Sequence, residues 1–585
     1  MLETQLQVDE AVQDTAATAL APFVSTYDRL PYTSYPFEQT HPGALAALAG
    51  LFGLTAPPVH TARILELGCA AGGNLIPLAA EFPESVCVGI DLSPVQIEDG
   101  QQRIAYSSLH NVRLECRDLL ELPGTLGLFD YIICHGVYSW VPPAVRAAIM
   151  QICQQHLAPD GIAHVSYNVL PGWRQRQAIR DALLWHISAD VEPAQQLEQL
   201  RAMLSFLRTH ASSDSMYGSA VCAIIDDLTQ RSDPYLMHEY LAATNAPCLF
   251  SEFVQAAKGL VFLCEARLTT MLPELSAPER AAAIRAWTGD RLLANEQMND
   301  LVSGRPFRES LLVHDHRTID RTLRAMQIDK LHVVLCGPYR FELENDAWML
   351  HAPQGQYRTS DPIVQAALNT LILRYPASST LDELSAAAVG SGISEPIRAA
   401  IRDALFYLVV GGLAIARTEP VCAQPASTLE CTVLEDKLDT TFCCASALAR
   451  SDAAAGARAT ANLLHRPVQL TAIDILLLPR LTGDMSIAAL LTALAGAVTE
   501  GLLKFAEHGD VSLRELLIAR LRHYARAALL VAQAKDEPGG NRQDAEHDQV
   551  QAMTLSGEVS RSGEGASTAG QSINEAIVSF SSPEN

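Results

Sequence analysis

The residues with the clearest chemical potential form one run, Ile64-Leu-Glu-Leu-Gly-Cys-Ala-Ala-Gly-Gly-Asn74. An apolar stretch precedes it and a segment of helical length follows. Gly68 permits a tight turn off a strand, and Ala70, Gly72 and Gly73 are small enough for a ligand to approach the backbone. Asp91 follows 19 residues after Gly72, at the end of the next apolar run. An acid at that point can accept both hydroxyls of a ribose. The glycines do not match the G-x-G-x-x-G spacing of dinucleotide sites. Glu66, two residues before the first glycine, would repel a pyrophosphate and favour a cation. A nucleoside ligand carrying positive charge and no phosphate answers both signals, and S-adenosylmethionine (SAM) is such a molecule.

These residues need a frame. Short apolar runs recur at Ile64–Leu67, Val86–Ile90, Val112–Cys116, Tyr131–Cys134 and Ala163–Tyr167. Segments of helical length lie between them, and Ser93-Pro94 with Gln96 reads as a capped helix start. Strands alternating with helices predict a parallel sheet covered on both faces. Residues 174–248 read as a helical insertion, Leu260–Cys264 as a returning strand, and Phe307–His314 as a last edge strand. Thr40 is expected to cap a helix that Gly53 ends.

Ligands bind at the carboxyl ends of such strands. The fourth strand then offers His135, Tyr138 and Trp140 to an acceptor, and the fifth offers Tyr167 and Asn168, with Trp173 nearby. Aromatic rings there suit a cation, and His135 or Tyr138 suits the removal of a proton. Each ring equally suits packing of its loop, and His135 equally suits a role through its backbone alone. No metal ligand set is expected. The segment Tyr27–Phe37 reads either as a lid, with Tyr32 or Tyr35 reaching the ligand, or as a staple onto the sheet.

The motifs resemble those of class I SAM-dependent methyltransferases. The resemblance rests on Glu66-Leu-Gly-Cys-Ala-Ala-Gly72, Gly89-Ile-Asp91-Leu-Ser93, Arg117-Asp118-Leu119 and Phe129-Asp130-Tyr131, in that order. It implies that SAM is the cofactor, that Glu66, Gly68 and Gly72 line its methionine part and that Ala70 is also cofactor-binding. It also implies Asp91 on the ribose, and Asp118 with Leu119 at the adenine. Ala70 departs from the glycine more usual there. The local reading of Asp118 and Asp130 is a helix cap or turn acid.

A second resemblance covers more of the chain. Tyr27 to Phe37, Thr40-His-Pro42, Cys134 to Val141, Ser166-Tyr-Asn168, Pro171-Gly-Trp173, His238-Glu-Tyr-Leu241 and Asn462 to Val468 are similar to methyltransferases with a methyltransferase regulatory domain. The rickettsial protein-lysine methyltransferases are among these. It implies an inserted helical domain, C-terminal modules and a protein or peptide substrate, with transfer to lysine side chains. A small-molecule methyltransferase and a SAM-binding scaffold without catalysis are the competing readings.

The expected fold is therefore α/β, a Rossmann-like methyltransferase sheet with a helical insertion, plus C-terminal α+β modules of winged-helix type. The expected domains are a cap or lid over 1–60, the core over 61–315 and a first module over 316–425. A second module then spans 426–535, and a disordered tail 536–585. Residues 330–358 read as a β-ribbon.

The whole composition fits. The chain has 585 residues, 49% hydrophobic and 18% charged, so it can bury several cores. Its net charge is −24, of which the nine acids and two arginines of 536–585 supply −7. Such acidity argues against nucleic acid as the main partner and suits a cationic one. The helix expected near 395–411 balances Arg398 and Arg402 with Glu395 and Asp403, unlike a groove-reading helix. Thirteen cysteines without a C-x-x-C pair suit reduced thiols in a cytoplasmic protein. The longest apolar stretch, Ala404–Ala416, is too short for membrane insertion. A homodimer is one compatible assembly.

Overall fold

The structure, a computed structural model, describes residues 34–122, 126–188, 190–212, 214–344, 347–429, 443–503 and 512–532. The expected helical lead-in over 1–20, Tyr27, Tyr32 and the tail 536–585 lie outside the described residues.

The frame is a seven-stranded sheet of β1 (Arg63–Leu67), β2 (Val86–Asp91), β3 (Val112–Cys116), β4 (Phe129–Cys134), β5 (Leu157–Asn168), β6 (Leu260–Glu265) and β7 (Phe307–His314). Their order across the sheet is β3-β2-β1-β4-β5-β7-β6. Strands β1 to β5 pair in parallel, and β7 runs antiparallel to both β5 and β6. The order reverses between β1 and β4, which opens the crevice where ligands sit in doubly wound sheets. Side chains alternate across β1: Ile64 joins one buried cluster, while Leu65 and Leu67 join the other. Glu66 therefore shares the face of Ile64.

Helices α1 (Pro42–Leu51), α2 (Leu75–Glu81), α3 (Pro94–Tyr106) and α4 (Pro143–His156) belong to this layer. The insertion follows as α5 (Gly172–His186), α6 (Pro193–His210), α7 (Met216–Leu228) and α8 (Asp233–Leu241). It holds a small core of its own, with Ile179, Leu183, Leu200, Leu204, Val221, Ile225 and Tyr240.

Two local expectations are corrected. The N-cap of α1 is His41, whose Nδ1 accepts from Gly43 N–H at 3.1 Å; the Thr40 hydroxyl is drawn instead to Phe37 O and Asn74 Oδ1. Strand β7 is not an edge: β6 is, and β7 lies inside it. Buried Arg308 on β7 explains the order. It binds Glu265 of β6 at 2.6 Å, and Asp300 at 2.8 Å and Glu296 at 2.9 Å from the helix Leu292–Ser303.

Beyond the sheet, β8 (His332–Leu335) pairs with β12 (Ala414–Arg417), so the expected ribbon keeps only β9 (Phe341–Glu344), β10 (Ala347–Ala352) and β11 (Gly355–Thr359). The helix Leu381–Val389 opens with the capping box of Thr380 and Glu383. The C-terminal unit carries the short strand β13 (Cys444–Ala445) and the hairpin β14 (Ala459–Ala461) and β15 (Pro467–Gln469) beside the helices Ala447–Ala454, Ile487–Thr499 and Leu513–Arg526. Leu477, Leu490, Leu494, Leu517 and Leu521 form its core. Among the described residues no helix is long and apolar enough to cross a membrane.

Candidate active site

The turn after β1 is shaped by its small residues. Gly68, Ala70 and Gly72 stand at φ 74°, 49° and 69°. A Cβ at Gly68 would overlap Val137, and one at Gly73 would overlap the backbone of Ser34. Ala70 holds a left-handed conformation that favours glycine. Its N–H donates to Asp91 Oδ2 at 2.9 Å, and Ser93 N–H donates to Asp91 Oδ1 at 2.9 Å. The ends of β1 and β2 are thereby tied together.

A cavity of about 420 Å³ opens beside this turn. Glu66, Gly68, Ala70, Asp91, Asp118 and Leu119 line it from the strand ends of the sheet, with Asn74 and Gln96. His135, Trp140 and Asn168 line it from the ends of β4 and β5. The insertion contributes Trp173, Arg176, Tyr235, His238 and Glu239. Ser34, Tyr35 and Phe37 border it from the N-terminal segment.

Gly72, Tyr138 and Tyr167 do not line the cavity. Gly72 makes the turn and faces Ile76 and Leu114. Tyr167 points to the opposite face of β5 from Asn168; its ring stacks on Phe253 at 3.9 Å and its hydroxyl meets Ser310 Oγ at 3.1 Å. Tyr138 packs edge-on against Phe253 at 5.6 Å. Asp130 lies at the start of β4, where it accepts from Arg63 N–H of β1 at 2.8 Å; it is neither a helix cap nor a turn acid. Asp118 caps the turn Leu119–Glu121 through Leu120 N–H, and still reaches the cavity.

Electrostatics divide the acids from the imidazoles. Glu66 is buried, and desolvation pushes its carboxyl up to about 8, against the hydrogen bond from Asn74. Burial, with Arg267 adding to it, pulls His135 down to about 4. Its ring lies 4.2 Å from that of Phe37. So low a basicity makes His135 a poor proton acceptor. Glu239, half-buried, is pushed up to about 7 by desolvation, opposed by Arg176 and Arg180. His135, His164 and Glu309 bring three ligand atoms within 4.8 Å of one another. However, Gln39 at 2.7 Å and Arg267 at 3.0 Å already occupy the two Glu309 oxygens, and a guanidinium there opposes a metal cation.

Known proteins share this architecture. Residues 64–161 match the model of a methyltransferase domain, and residues 232–314 one described as "predicted methyltransferase regulatory domain". Residues 444–535 match the "PKMT, C-terminal winged helix domain". Protein RP789 of Rickettsia prowazekii (strain Madrid E) is 30% identical over 505 residues, covering 83% of this chain and 88% of its own. The chain belongs to the class I SAM-dependent methyltransferases that carry a methyltransferase regulatory domain. Protein RP028 of the same organism is 37% identical over 238 residues, 40% of this methyltransferase and 95% of its own length. The solved structure of PKMT2 from Rickettsia typhi in complex with AdoHcy superposes with a TM-score of 0.73. It is 25% identical, and the match covers 86% of this methyltransferase and all of that chain.

The residues present fit SAM. Glu66 Oε1 accepts from Asn74 Nδ2 at 2.8 Å, whereas Oε2 is buried with no partner among the described residues. A buried carboxyl oxygen of that kind calls for a polar partner from a ligand, and the ammonium of SAM supplies one once the carboxyl gives up its proton. The residues that sequence reasoning left without a role are Asn74, Gln96, Arg176, Tyr235 and Glu239. Glu239 lay within the matched His238–Leu241 segment, but only the folded insertion brings it to the cavity.

Proposed function

We propose that this methyltransferase transfers methyl groups from SAM to lysine side chains of a protein substrate. The observation that carries the reading is one cavity lined by two chemically different sets of residues, a cofactor set from the sheet and an acceptor set from the insertion, which we place at its two ends. At the cofactor end, Glu66 takes the ammonium, Asp91 the ribose hydroxyls, and Asp118 with Leu119 the adenine. Bound SAM supplies the methyl group and leaves as a neutral thioether.

The other end suits a long cationic side chain. Trp140 and Trp173 meet edge to face at 5.9 Å, and Tyr235 continues the wall. Such rings accept an aliphatic stem and attract an ammonium. Glu239 stands at that end and accepts no hydrogen bond from a described residue. An ammonium offers it one.

A lysine amine is protonated at neutral pH, with an ordinary pKa of about 10.4. It must lose that proton before nitrogen can attack. Glu239, near 7, is a fitting recipient. Alignment and the exclusion of water by the aromatic walls supply the rest. A cytoplasmic setting suits the cysteines, which are free among the described residues.

The test is incubation of the purified protein with a cell lysate and methyl-labelled SAM, followed by mass-spectrometric mapping. Label on lysine residues is expected. Label confined to small molecules overturns the reading.

A further inference from the structure

Glu66 is held by more than its own domain. Asn74, which donates to it, accepts at Oδ1 from Phe37 N–H at 3.0 Å and His465 Nε2 at 2.8 Å, and the Thr40 hydroxyl, whose one proton is shared with Phe37 O, lies 3.0 Å away. The Phe37 amide can only donate, so the Asn74 oxygen must face that way and its nitrogen must face Glu66. The same oxygen only accepts, so His465 carries its proton on Nε2. His465 is buried, and its pKa lies well below the usual value through desolvation, with His41 and Arg417 beside it.

His465 comes from the far end of the chain, in the loop between β14 and β15. It stands at φ 59°, a strained value for a residue with a side chain. Its surroundings hold it there. Asn462 Oδ1 accepts from Leu464 N–H at 3.0 Å and from Arg466 N–H at 2.9 Å. Arg466 pairs with Glu38 at 2.5 Å and donates to Cys336 O at 2.8 Å. On the same unit, buried Asp452 accepts Arg103 of α3 at 3.0 and 2.8 Å, and Tyr106 at 3.1 Å. The loop is thus seated on the core at several points, and a buried neutral imidazole is spent on orienting one amide.

We infer that the C-terminal winged-helix domain completes the cofactor site: His465, acting through Asn74, orients Glu66 toward the amino-acid end of SAM. His465 is a positioning residue, since it does not line the cavity. Undocking the domain withdraws one donor from Asn74 Oδ1. Phe37 N–H still sets which way the amide faces, but the amide is held less firmly, and the bond that leaves Glu66 Oε2 for the ligand weakens. Affinity for the cofactor is in this way coupled to the docked state of a domain that the acceptor end does not use. The inference rests on the proposed meeting of the ammonium with Glu66, not on the identity of the methyl acceptor.

Calorimetry on the full chain tests it with SAM, AdoHcy and 5′-methylthioadenosine, which keeps the adenosine and sulfur but lacks the amino acid. His465→Ala is expected to weaken SAM and AdoHcy roughly five- to tenfold. It should leave 5′-methylthioadenosine unchanged. His465→Gln, which keeps an N–H donor, should recover most of the loss. Equal weakening of all three ligands, or unchanged SAM affinity, overturns the inference. Glu66→Gln separates the two layers. If it too leaves SAM unchanged, the ammonium site itself falls and the inference with it. If it weakens SAM selectively while His465→Ala does not, only the role of His465 falls.

Discussion

Asn74 Nδ2 stands 2.8 Å from Glu66 Oε1, and this one bond decides which carboxylate oxygen is left for a ligand. Replacing Asn74 with Ala removes the donor and lets Glu66 turn within its pocket. The expected result is a rise of about tenfold in KM for SAM with little change in kcat, because binding rather than chemistry is disturbed. Asn74→Asp should be worse, since a second carboxylate beside Glu66 raises its pKa further. Steady-state kinetics over a SAM series measure both. A fall in kcat at unchanged KM would contradict the assignment.

Glu66 also predicts a pH dependence. Its folded pKa of about 8 lies above the ordinary 4.5, so the ligand-free protein holds a proton there at pH 7. An ammonium ligand requires the carboxylate. SAM binding at pH 7 should therefore release a proton, and affinity should rise from pH 6 to pH 8. Titration in two buffers of different ionisation enthalpy reads the proton directly. The same shift acts on the empty protein with the opposite sign. Its stabilising contribution is complete below 4.5 and is lost as pH rises through about 8, so the ligand-free Tm should fall over that range. The Tm increase given by saturating SAM should widen with it.

The sequence carried the cofactor end because its parts are local. Glu66, Gly68, Ala70 and Asp91 sit on two consecutive strand ends, and a parallel strand pair brings such ends together in any fold of this class. The acceptor end was less legible. Tyr167 and Asn168 are neighbours on β5, and adjacent strand residues face opposite ways, so the period of two already separates them. Of the pair, Asn168 lines the cavity and Tyr167 the opposite core. Glu239 and His465 carry no local signal of function. One is brought to the cavity by the packing of α8 against α5, the other by docking of a unit 391 residues from Asn74. The order of β6 and β7 was equally hidden, because both read as short apolar runs and only the Arg308 ion cluster reveals which lies inside.

Tyr138 and Tyr167 test the boundary between site and core. Both rings pack around Phe253 and neither lines the cavity. Tyr138→Phe and Tyr167→Phe should therefore keep kcat within about twofold; the second loses the Ser310 contact and about 1 kcal/mol of stability. Tyr167→Ala empties a stacked core position and should cost about 3–5 kcal/mol, read by chemical denaturation. A large loss of turnover in the Phe variants, with folding intact, would return these hydroxyls to the mechanism.

Glu239→Gln isolates the acceptor end. The carboxylate must be ionised to take a proton from the incoming amine, so activity should fall as pH drops below about 7. Desolvation by burial sets this value, opposed by Arg176 and Arg180 on α5. The amide can neither attract the ammonium nor accept its proton. It should lower kcat/KM for the protein substrate about a hundredfold and flatten the acidic limb of the pH profile. SAM affinity should be unchanged, because Glu239 belongs to the proposed acceptor set on the insertion and not to the cofactor set on the sheet. Loss of SAM binding would indicate collapse of the cavity, whereas an intact acidic limb would assign the proton to another group.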